Sequence, residues 1–557
     1  MSTRVDLWVF RDGRKAMPTS QLLADLVADL ERLRAHPRDH SAVLNGLIRA
    51  GELEASLADQ GLTCSTRMAE VTDALARQIV QASTSATYGV LINTLTKIDY
   101  PLSIPVSPPE GFSFYGLNPA DFIGLARSVS NIGDQVAVIG IRSIGVTLSA
   151  VVAAALDPGG AVDRISVRPS GHPYDRVAGF SVDQVRWIHD KRAKGSRFLI
   201  VDEGPGRSGS TFLSVAEALT ALGVGEECIT LLGTREPVPG ELCASNAAAR
   251  WNRFRFVPVQ THSTRRFQGC TYLGGGEWRK PLMPDPTKWP ACWPQMERSK
   301  FLSQDGKWIF KFEGLGRIGE EVRERARALA QSGFGCEIQD AGDGYSAYRV
   351  VRGRPLAATD FSNELLERIA RYCALRDYEF RVSAPTDPVS DMVRFNVQQE
   401  FGLDWTPNEL PVENLIVCDG RMQPHEWLLA SSGEVLKSDA ASHGDDHFFP
   451  GPIDVLWDLA GAIVEWNMNS DARDLLLNRF GALTGRRFKD GIDSYCVAYS
   501  VFRMGICRMA IPTTDEPEQA RLRRAYAYYR QTAERLLQAS SPTISPTVRT
   551  ADGEQAA

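Results

Sequence analysis

The sequence predicts a multidomain protein of mixed α/β and α+β class: a helical N-terminal region, a parallel sheet with flanking helices, and then a unit of two lobes. Three observations predict this class. The chain has 557 residues, 43% of them apolar, which suffices for about three domains with their own cores. Two segments, near residues 140 and 200, run from an apolar stretch through a glycine-containing turn into a helical pattern. From residue 298 the pattern changes to short strands joined at Asp305-Gly306.

The first region, 1–115, is predicted to be helical. Apolar residues at helical spacing cover three segments, and the first of them carries a stripe formed by Leu22, Leu23, Leu26, Leu30 and Leu33. The second and third segments are 42–57 and 68–80. The stretch 95–118 that follows is rich in proline and aromatic residues, which are candidates either for ligand stacking or for ordinary packing.

The most informative segment is 198–211, where four apolar residues precede two carboxylates and a loop of small residues. A buried parallel strand followed by such a loop presents backbone N–H groups to an anion at the start of a helix. Asp202 and Glu203 would repel a phosphate, so we expect them to bind sugar hydroxyls beside a divalent cation. The anion-binding candidates are Gly206, Arg207, Ser208, Gly209, Ser210 and Thr211.

A second strand, turn and helix are predicted upstream, at 135–152. Gly140 and Gly145 bracket the turn, which would present backbone amides and one cation to a second anion. The residues expected to do so are Arg142, Ser143, Ile144 and Gly145. Further strands are predicted at 164–167 and 228–233, with a long polar loop at 170–196 between the two motifs.

Together these motifs resemble the site for 5-phosphoribosyl 1-pyrophosphate (PRPP) of type I phosphoribosyltransferases, with 116–240 as the core. The resemblance implies that Asp202, Glu203 and Arg142 are catalytic, that Ser208 to Thr211 bind the 5-phosphate, and that Arg142 to Gly145 bind pyrophosphate. The 5-phosphate site that the resemblance implies includes the preceding Gly206 and Arg207 as well. The resemblance also implies Mg²⁺ near Asp202 and Glu203, an acceptor-covering hood within 1–115, and a mobile loop at 170–196 that carries Lys191 and Arg192. The connection from Gly204 to Arg207 is one residue longer than the spacing common in that family.

Two further stretches are assigned by composition. Residues 241–297 contain three consecutive glycines, many prolines and several tryptophans, which predicts an ordered connector between domains. Residues 538–557 are rich in Ser, Pro, Thr, Ala and Gly and are predicted to form a disordered tail.

The segment 298–537 resembles the aminoglycoside-phosphotransferase branch of the protein-kinase-like fold, with a small lobe to about residue 356. The residues that carry the resemblance are the paired strands 301–313, the glutamate-containing helix after them, and Trp457-Asp458-Leu-Ala-Gly. The resemblance implies that Lys311 binds nucleotide phosphates and pairs with a helix glutamate, Glu320 or Glu321. It further implies a metal site at Glu426 and Asp439.

The catalytic loop of that family is only partly matched. Alignment of Asp419-Gly-Arg-Met-Gln-Pro-His-Glu with the family's loop places Arg421 at the catalytic aspartate and Glu426 at the metal-binding asparagine. Arginine cannot act as a general base at neutral pH. The fragment His443-Gly-Asp445 also occurs, but no asparagine follows at the family's spacing, so we attribute it to coincidence.

The sequence therefore favours a phosphoribosyltransferase, a glycosyltransferase that transfers the phosphoribosyl group of PRPP to a nitrogenous acceptor, over a kinase. Two alternatives stay open: a regulator that senses PRPP or a nucleotide without turnover, and a small-molecule kinase with an accessory phosphoribosyltransferase-fold domain. The expected cofactor is Mg²⁺, with PRPP as substrate and ATP as a second ligand. The acceptor is not encoded in any recognisable motif.

Composition sets the expected partners. The net charge is −6 and residues of both signs are interspersed, so the sequence predicts no basic surface for nucleic acid. The cysteines show no spacing typical of zinc ligands. No apolar run reaches the length of a membrane span, and the N-terminal segment lacks the apolar core of a signal peptide. We expect small-molecule substrates, no membrane and a cytoplasmic location, and the sequence is compatible with a homo-oligomer.

Overall fold

The computed structural model describes residues 15–81, 86–97, 99–130, 135–157, 162–172, 174–261, 265–383, 389–405, 410–446, 449, 451–486 and 491–540. The chain begins with a helical layer that two short strands join. Its elements are β1 (Lys15–Pro18), α1 (Thr19–Ala35), α2 (His40–Asp59), α3 (Cys64–Val80), α4 (Ala86–Thr96), β2 (Ser103–Val106), α5 (Glu110–Ser113) and α6 (Asp121–Ser128). The strands β1 and β2 pair antiparallel.

The helical layer follows the apolar pattern of its sequence. Leu26, Leu30 and Leu33 are fully buried on one side of α1, as their spacing predicts. The helix α2 starts where the side chain of Asp39 accepts a hydrogen bond from the backbone N–H of Ala42. The first three helices thus have the extents that the leucine and alanine spacing predicts, to within a few residues.

The parallel sheet comes next in the chain. Its elements are β3 (Val136–Ile141), α7 (Gly145–Leu156), β4 (Arg164–Val167), β5 (Ser170–His172), β6 (Asp175–Val177), α8 (Val182–Ala193), β7 (Arg197–Val201), α9 (Ser210–Ala221), β8 (Ile229–Gly233), α10 (Ala247–Trp251) and β9 (Arg255–Pro258). Five of these strands pair in parallel, in the order β4-β3-β7-β8-β9.

The sheet is covered on both faces, as expected for parallel strands. Val138, Leu199 and Leu232 pack toward the N-terminal helices and α7, whereas Ile139 and Ile200 pack in a second cluster with α8 to α10. The edge strand β9 extends the sheet to residue 258, well past residue 240, where the sequence placed the end of this core. Part of the predicted connector therefore belongs to the sheet.

The polar loop predicted at 170–196 is instead a regular structure. The strands β5 and β6 form a hairpin, and α8 begins at a capping box in which Ser181 and Gln184 exchange side-chain and backbone hydrogen bonds. Lys191 pairs with Asp163 at 2.7 Å, and Arg192 donates to the carbonyl of Leu222 at 2.9 Å. These two cations hold the helix in place, so the expectation of a mobile loop that carries them is wrong.

An antiparallel sheet follows. Its elements, with the helices between them, are β10 (Thr271–Tyr272), α11 (Arg279–Leu282), β11 (Lys300–Leu302), β12 (Trp308–Phe312), α12 (Gly316–Gln331), β13 (Ile338–Gly342), β14 (Tyr345–Arg349) and β15 (Gly353–Pro355). The strands pair in the order β10-β11-β12-β14-β13. The hairpin predicted around Asp305-Gly306 is formed by β11 and β12.

The remaining chain is mostly helical. Its elements are α13 (Asn363–Glu379), α14 (Val389–Phe401), β16 (Trp427–Ala430), β17 (Val435–Lys437), α15 (Leu456–Glu465), α16 (Ser470–Thr484), α17 (Ile492–Ala510) and α18 (Glu516–Ser540). The strands β15, β16 and β17 form a small sheet that joins this helical part to the antiparallel sheet. The last helix extends into the predicted disordered tail, whose residues 541–557 lie outside the described part of the chain.

One apolar core joins the N-terminal helices to both larger sheets. Phe312, Leu315 and Tyr345 from the antiparallel sheet and the start of α12 pack in the same cluster as Leu148 and Phe112. Within the described ranges, no helix combines the length and the apolar character that crossing a bilayer requires.

Candidate active site

Two lysines face each other on neighbouring strands of the antiparallel sheet. Lys300 of β11 lies directly opposite Lys311 of β12, an arrangement that destabilises a sheet when the charges are unscreened. The carboxylate of Asp439 compensates both charges. Lys300 Nζ lies 2.9 Å from Asp439 Oδ2, and Lys311 Nζ contacts Asp439 Oδ1. A buried three-charge cluster therefore forms between the sheet and the segment that follows β17.

Asp439 is held by its backbone and by a histidine. Its φ of 52° lies in the left-handed region, which aspartate adopts more readily than most residues. His443, on the turn His443–Asp445, places Nε2 3.4 Å from Asp439 Oδ2. Burial alone would raise the pKa of Asp439, but Lys300, Lys311 and His443 outweigh it and hold this pKa well below its usual range. The carboxylate is therefore ionised throughout the neutral range.

The partner of Lys311 within the sheet is Glu313 rather than a helix glutamate. Lys311 Nζ lies 3.2 Å from Glu313 Oε1, which also accepts a hydrogen bond from the Tyr348 hydroxyl at 2.6 Å. Glu320 is exposed, and Glu321 lies near Arg317 with more than half of its side chain exposed. The expected pairing of Lys311 with Glu320 or Glu321 is therefore absent, because these side chains point away from the sheet.

The loop that begins at Asp419 is fixed by a buried aspartate. Asp458, near the start of α15, accepts hydrogen bonds from the backbone N–H groups of Asp419 and Gly420, each at 2.9 Å. Asp458 lies within the Trp457-Asp-Leu-Ala-Gly segment that the sequence singled out. Burial raises its pKa to about 6, although Arg376 at 3.5 Å acts in the opposite direction. The aspartate thus sets the backbone conformation of the loop.

The side chain of Asp419 points into a second buried charge cluster. It accepts a hydrogen bond from Tyr372, lies 3.1 Å from Lys437 Nζ, and lies 3.6 Å from His443 Nδ1. Burial opposes ionisation, but Lys437, His443 and Arg376 lower the pKa of Asp419 far enough to keep it charged. His443 thereby lies between Asp419 and Asp439 and connects the two clusters.

Arg421 and Glu426 follow in the same loop. Glu426 accepts a hydrogen bond from Ser438 at 3.0 Å and lies 3.9 Å from Lys437. Burial works against its charge, but Lys437 and the histidines lower the pKa of Glu426, so it too is ionised. Within the part of the chain that the structure describes, no hydrogen bond or ion pair involves the guanidinium of Arg421.

These groups line one cavity of about 340 Å³ between the antiparallel sheet and the helical part. Its charged wall includes Lys300, Lys311, Arg421, Glu426 and Asp439. An apolar part of the lining lies where β14 leads into β15; it is formed by Ile309, Tyr348, Val350, Leu428 and Leu436. A cavity lined by both apolar and charged side chains suits a ligand with a flat base and phosphates.

The carboxylates predicted in the first motif lie at the end of β7. Burial raises the pKa of Asp202 to about 7, and burial together with Asp202 and Glu110 raises that of Glu203 well above its usual range. A Cβ on Gly111 would lie 2.2 Å from Glu203 Oε2, so a larger residue there would require this carboxylate to move. No described group of three or more histidine, cysteine or acidic side chains is arranged to hold a metal ion.

The first predicted anion-binding segment lies against the end of β7, where Asp202 follows the strand. Gly145 starts α7 so close to β7 that a Cβ there would lie 2.6 Å from the carbonyl oxygen of Val201 and 3.6 Å from the Cα of Asp202. The Arg142 guanidinium turns away from the segment, because its Nε lies 3.2 Å from Asp59 on α2. Ser143 and Ile144 complete the turn before the helix.

The loop 206–211 leads into α9 as expected, although the helix begins two residues earlier, at Ser210. Gly209 adopts the left-handed conformation with φ of 68° at the helix start. The hydroxyls of Ser208 and Ser210 lie 2.9 Å apart, next to Thr211 in the first turn. Arg207 donates to the carbonyl of Pro512 at 3.4 Å, and Gly206 accepts the N–H of Gly209.

Sequence reasoning missed several residues of the cavity. Lys300 and Lys437 are unremarkable in sequence, and only strand pairing shows that they converge on carboxylates. Alternation along β12 could have identified Glu313, since it follows Lys311 by two residues on the same face. The fragment His443-Gly-Asp was noticed but attributed to coincidence, whereas His443 joins the two charge clusters.

Comparisons with known proteins give structural similarities of low score. No protein-family model and no curated protein sequence matches the chain. Choline kinase LicA from Streptococcus pneumoniae matches at 13% identity with a TM-score of 0.30, over 42% of this chain and 89% of that one. Choline kinase from Cryptosporidium parvum Iowa II matches at 10% identity with a TM-score of 0.31, over 44% and 87% of the two chains.

A spectinomycin phosphotransferase in complex with ADP and spectinomycin matches at 13% identity with a TM-score of 0.31, over 51% of this chain and 99% of that one. These similar structures are kinases, whereas the sequence favoured a phosphoribosyltransferase over a kinase. The expectation of a glycosyltransferase that uses PRPP is therefore wrong.

The raised pKa of Asp202 generates a prediction about stability. The pKa of this carboxyl is about 7 in the folded protein, against the ordinary value of 3.8 that applies to the unfolded chain. The carboxyl therefore contributes stability at low pH, and this contribution is lost as pH rises through 7. The free energy of unfolding of Asp202→Asn, measured with denaturant, should exceed that of the parent protein by about 1–3 kcal/mol at pH 8, with a smaller difference at pH 5. Asp183→Asn, at an exposed position, is the control. The assignment would be contradicted if the free energy of unfolding changed with pH equally in Asp202→Asn and in the parent protein.

A second prediction concerns the two opposed lysines. Asp439→Asn leaves Lys300 and Lys311 without their shared carboxylate and should lower the free energy of unfolding by about 2–4 kcal/mol. In a Lys300→Met background the loss should be smaller by about 1 kcal/mol or more, because one of the like charges is gone. Denaturant unfolding of the parent protein, the two single variants and the double variant measures this coupling, with Asp305→Asn at the exposed hairpin turn as control. Additive losses would show that the lysines do not share the carboxylate.

Proposed function

We propose that the chain is a small-molecule kinase whose cavity binds ATP with Mg²⁺ and transfers the γ-phosphoryl group to a hydroxyl-bearing metabolite. The observation that carries the proposal is the convergence of Lys300 and Lys311 on Asp439 inside a cavity with an apolar end. Lysines positioned by carboxylates are a recurrent means of binding nucleotide phosphates.

The lining of the cavity suits both the base and the phosphates of a nucleotide. The adenine base would lie in the slot between Ile309, Val350 and Leu436, where a flat apolar surface can be buried. Its phosphates would then extend toward Lys311 and Lys300. In that position they would replace part of the contact that Asp439 makes with the two lysines.

Asp439 and Glu426 are the residues that would hold the magnesium ion. Both carboxylates are ionised and line the cavity, and Ser438 of the adjoining segment hydrogen-bonds Glu426. Two carboxylates fit Mg²⁺ when nucleotide phosphates and water complete its six oxygen ligands. The ion would neutralise negative charge on the phosphates.

The loop supplies an arginine where a kinase-like loop would carry its aspartate. Arg421 cannot accept a proton at neutral pH, but its guanidinium can stabilise charge on the transferred group. In the proposed reaction the acceptor oxygen bonds to the γ-phosphorus as the bond to the bridging oxygen of ADP breaks. The acceptor's proton passes to an oxygen of the transferred phosphoryl group, so a loose transition state needs no carboxylate base at this position.

The parallel sheet has an accessory role in this proposal. The turn Arg142–Gly145 lies against the end of β7 next to Asp202, and the loop Gly206–Thr211 follows Glu203 into α9. We propose that this edge binds a phosphate-bearing ligand without turning it over. The glycine-bracketed turns and the start of α9 support that role.

Replacement of one lysine tests the kinase proposal. Lys311→Met should weaken Mg-ATP binding and reduce ATP-dependent phosphorylation of a low-mass metabolite pool by about 100-fold or more, because the charge at the phosphates is lost. Calorimetry measures the binding, and ADP release with radiolabel transfer measures the turnover.

Lys307→Met is the matched control, because Lys307 lies on the same hairpin but is exposed and pairs only with Asp305 in the described structure. It should behave as the parent protein does. Binding of ATP without phosphoryl transfer to any metabolite pool would contradict the kinase proposal and would favour a nucleotide sensor instead. Unchanged binding in Lys311→Met would contradict the assignment of the cavity.

A further inference from the structure

A second pair of cations lines the same cavity from its helical side. Arg421 belongs to the loop that Asp458 fixes, and Arg503 belongs to α17, whereas Lys300 and Lys311 belong to the antiparallel sheet. The two lysines pair with Asp439 and serve the nucleotide phosphates in the proposed function. Arg421 serves the transferred phosphoryl group in that function, so Arg503 is the arginine that is available to a different anionic group.

Arg503 is held from behind by a buried polar network. Glu465 accepts hydrogen bonds from the hydroxyls of Tyr499 and Tyr529, each at 2.7 Å. Arg503 Nε donates to the Tyr529 hydroxyl at 3.3 Å and lies 3.9 Å from Glu465. This network fixes the base of the guanidinium while it leaves the terminal nitrogens without a hydrogen-bond acceptor among the described residues.

The acidic side chains that line the cavity with the two arginines are engaged by other groups. Glu426 is engaged by Lys437 and Ser438, and Glu297 accepts the indole N–H of Trp278 at 3.2 Å. Asp446 and Glu426 help to keep Arg421 charged, while Arg503 repels it. Two charged guanidiniums that line a partly desolvated cavity favour a bound anion.

We propose that the acceptor substrate of the cavity carries an anionic group, a carboxylate or a phosphate monoester, in addition to its hydroxyl, and that Arg503 is the residue that selects it. The inference rests on the proposed kinase function. A guanidinium forms paired hydrogen bonds with either group, and its rigid support by Tyr529 and Glu465 reduces the entropy lost on binding.

Binding of matched small probes tests the inference. The full chain, loaded with Mg²⁺ and a non-hydrolysable ATP analogue, is titrated at physiological ionic strength with glycerate, glycerol 3-phosphate, glycerol and choline. We expect either anion to bind about tenfold or more tightly than glycerol, and choline to bind no better than glycerol. Glycerate and glycerol 3-phosphate distinguish a carboxylate-selective site from a phosphate-selective one.

Variants assign the effect to Arg503. Arg503→Met should abolish the preference for the anions, whereas Arg503→Lys should retain part of it because the charge remains. Arg508→Met is the control on the same helix, since Arg508 is half-exposed and pairs with Glu400 outside the cavity. Melting temperatures confirm that each variant is folded, and analogue affinity confirms that the nucleotide end is intact.

Two results would overturn the inference without touching the kinase proposal. One is tighter binding of glycerol or choline than of both anions. The other is an anion preference that survives in folded Arg503→Met. Failure of the ATP analogue to bind is a different result, because it contradicts the proposed function itself.

Discussion

Two lysines that face each other across neighbouring strands are tolerated because one carboxylate lies between them. Lys300 and Lys311 would repel each other in an ordinary sheet, and Asp439, in the segment that follows β17, contacts both. Because Asp439 also contacts His443, which in turn contacts Asp419, the compensation extends into the loop that carries the remaining polar groups. The position of the helical part relative to the antiparallel sheet, and hence the shape of the cavity, depends on this charge arrangement.

The residues behind Lys311 also contact the first half of the chain. The turn α5 has Gly111 against the carboxylate of Glu203, while the carbonyl of Phe112 accepts the N–H of Leu315 at 2.9 Å. The carbonyl of Ser113 accepts a hydrogen bond from Arg298, which also binds the carbonyl of Glu313. Glu313 is the sheet partner of Lys311. One short turn therefore contacts both the edge of the parallel sheet and the residues behind the cavity, which agrees with a kinase that carries an accessory ligand-binding part.

Local patterns were sufficient to predict the strand, turn and helix segments at 135–152 and 198–211 and the hairpin around Gly306, because each depends on neighbours in sequence. They failed where contacts between residues distant in sequence determine the position of a side chain. The partner of Lys311 is Glu313 and not Glu321, and His443 acquires its place only when β17 brings it beside Asp419. The function was misjudged for a related reason: a local motif that resembles a phosphate-binding loop was taken as evidence of catalysis, although such a motif does not by itself establish a reaction.

A crystal structure of the full chain with Mg²⁺ and a non-hydrolysable ATP analogue tests the central claim most directly. The account predicts the base between Ile309 and Leu436, phosphate oxygens within hydrogen-bond distance of Lys311, and a metal ion bound by Asp439 and Glu426. It would be contradicted by a cavity without nucleotide at saturating concentration. It would also be contradicted by nucleotide bound elsewhere while Asp439 keeps both lysine contacts.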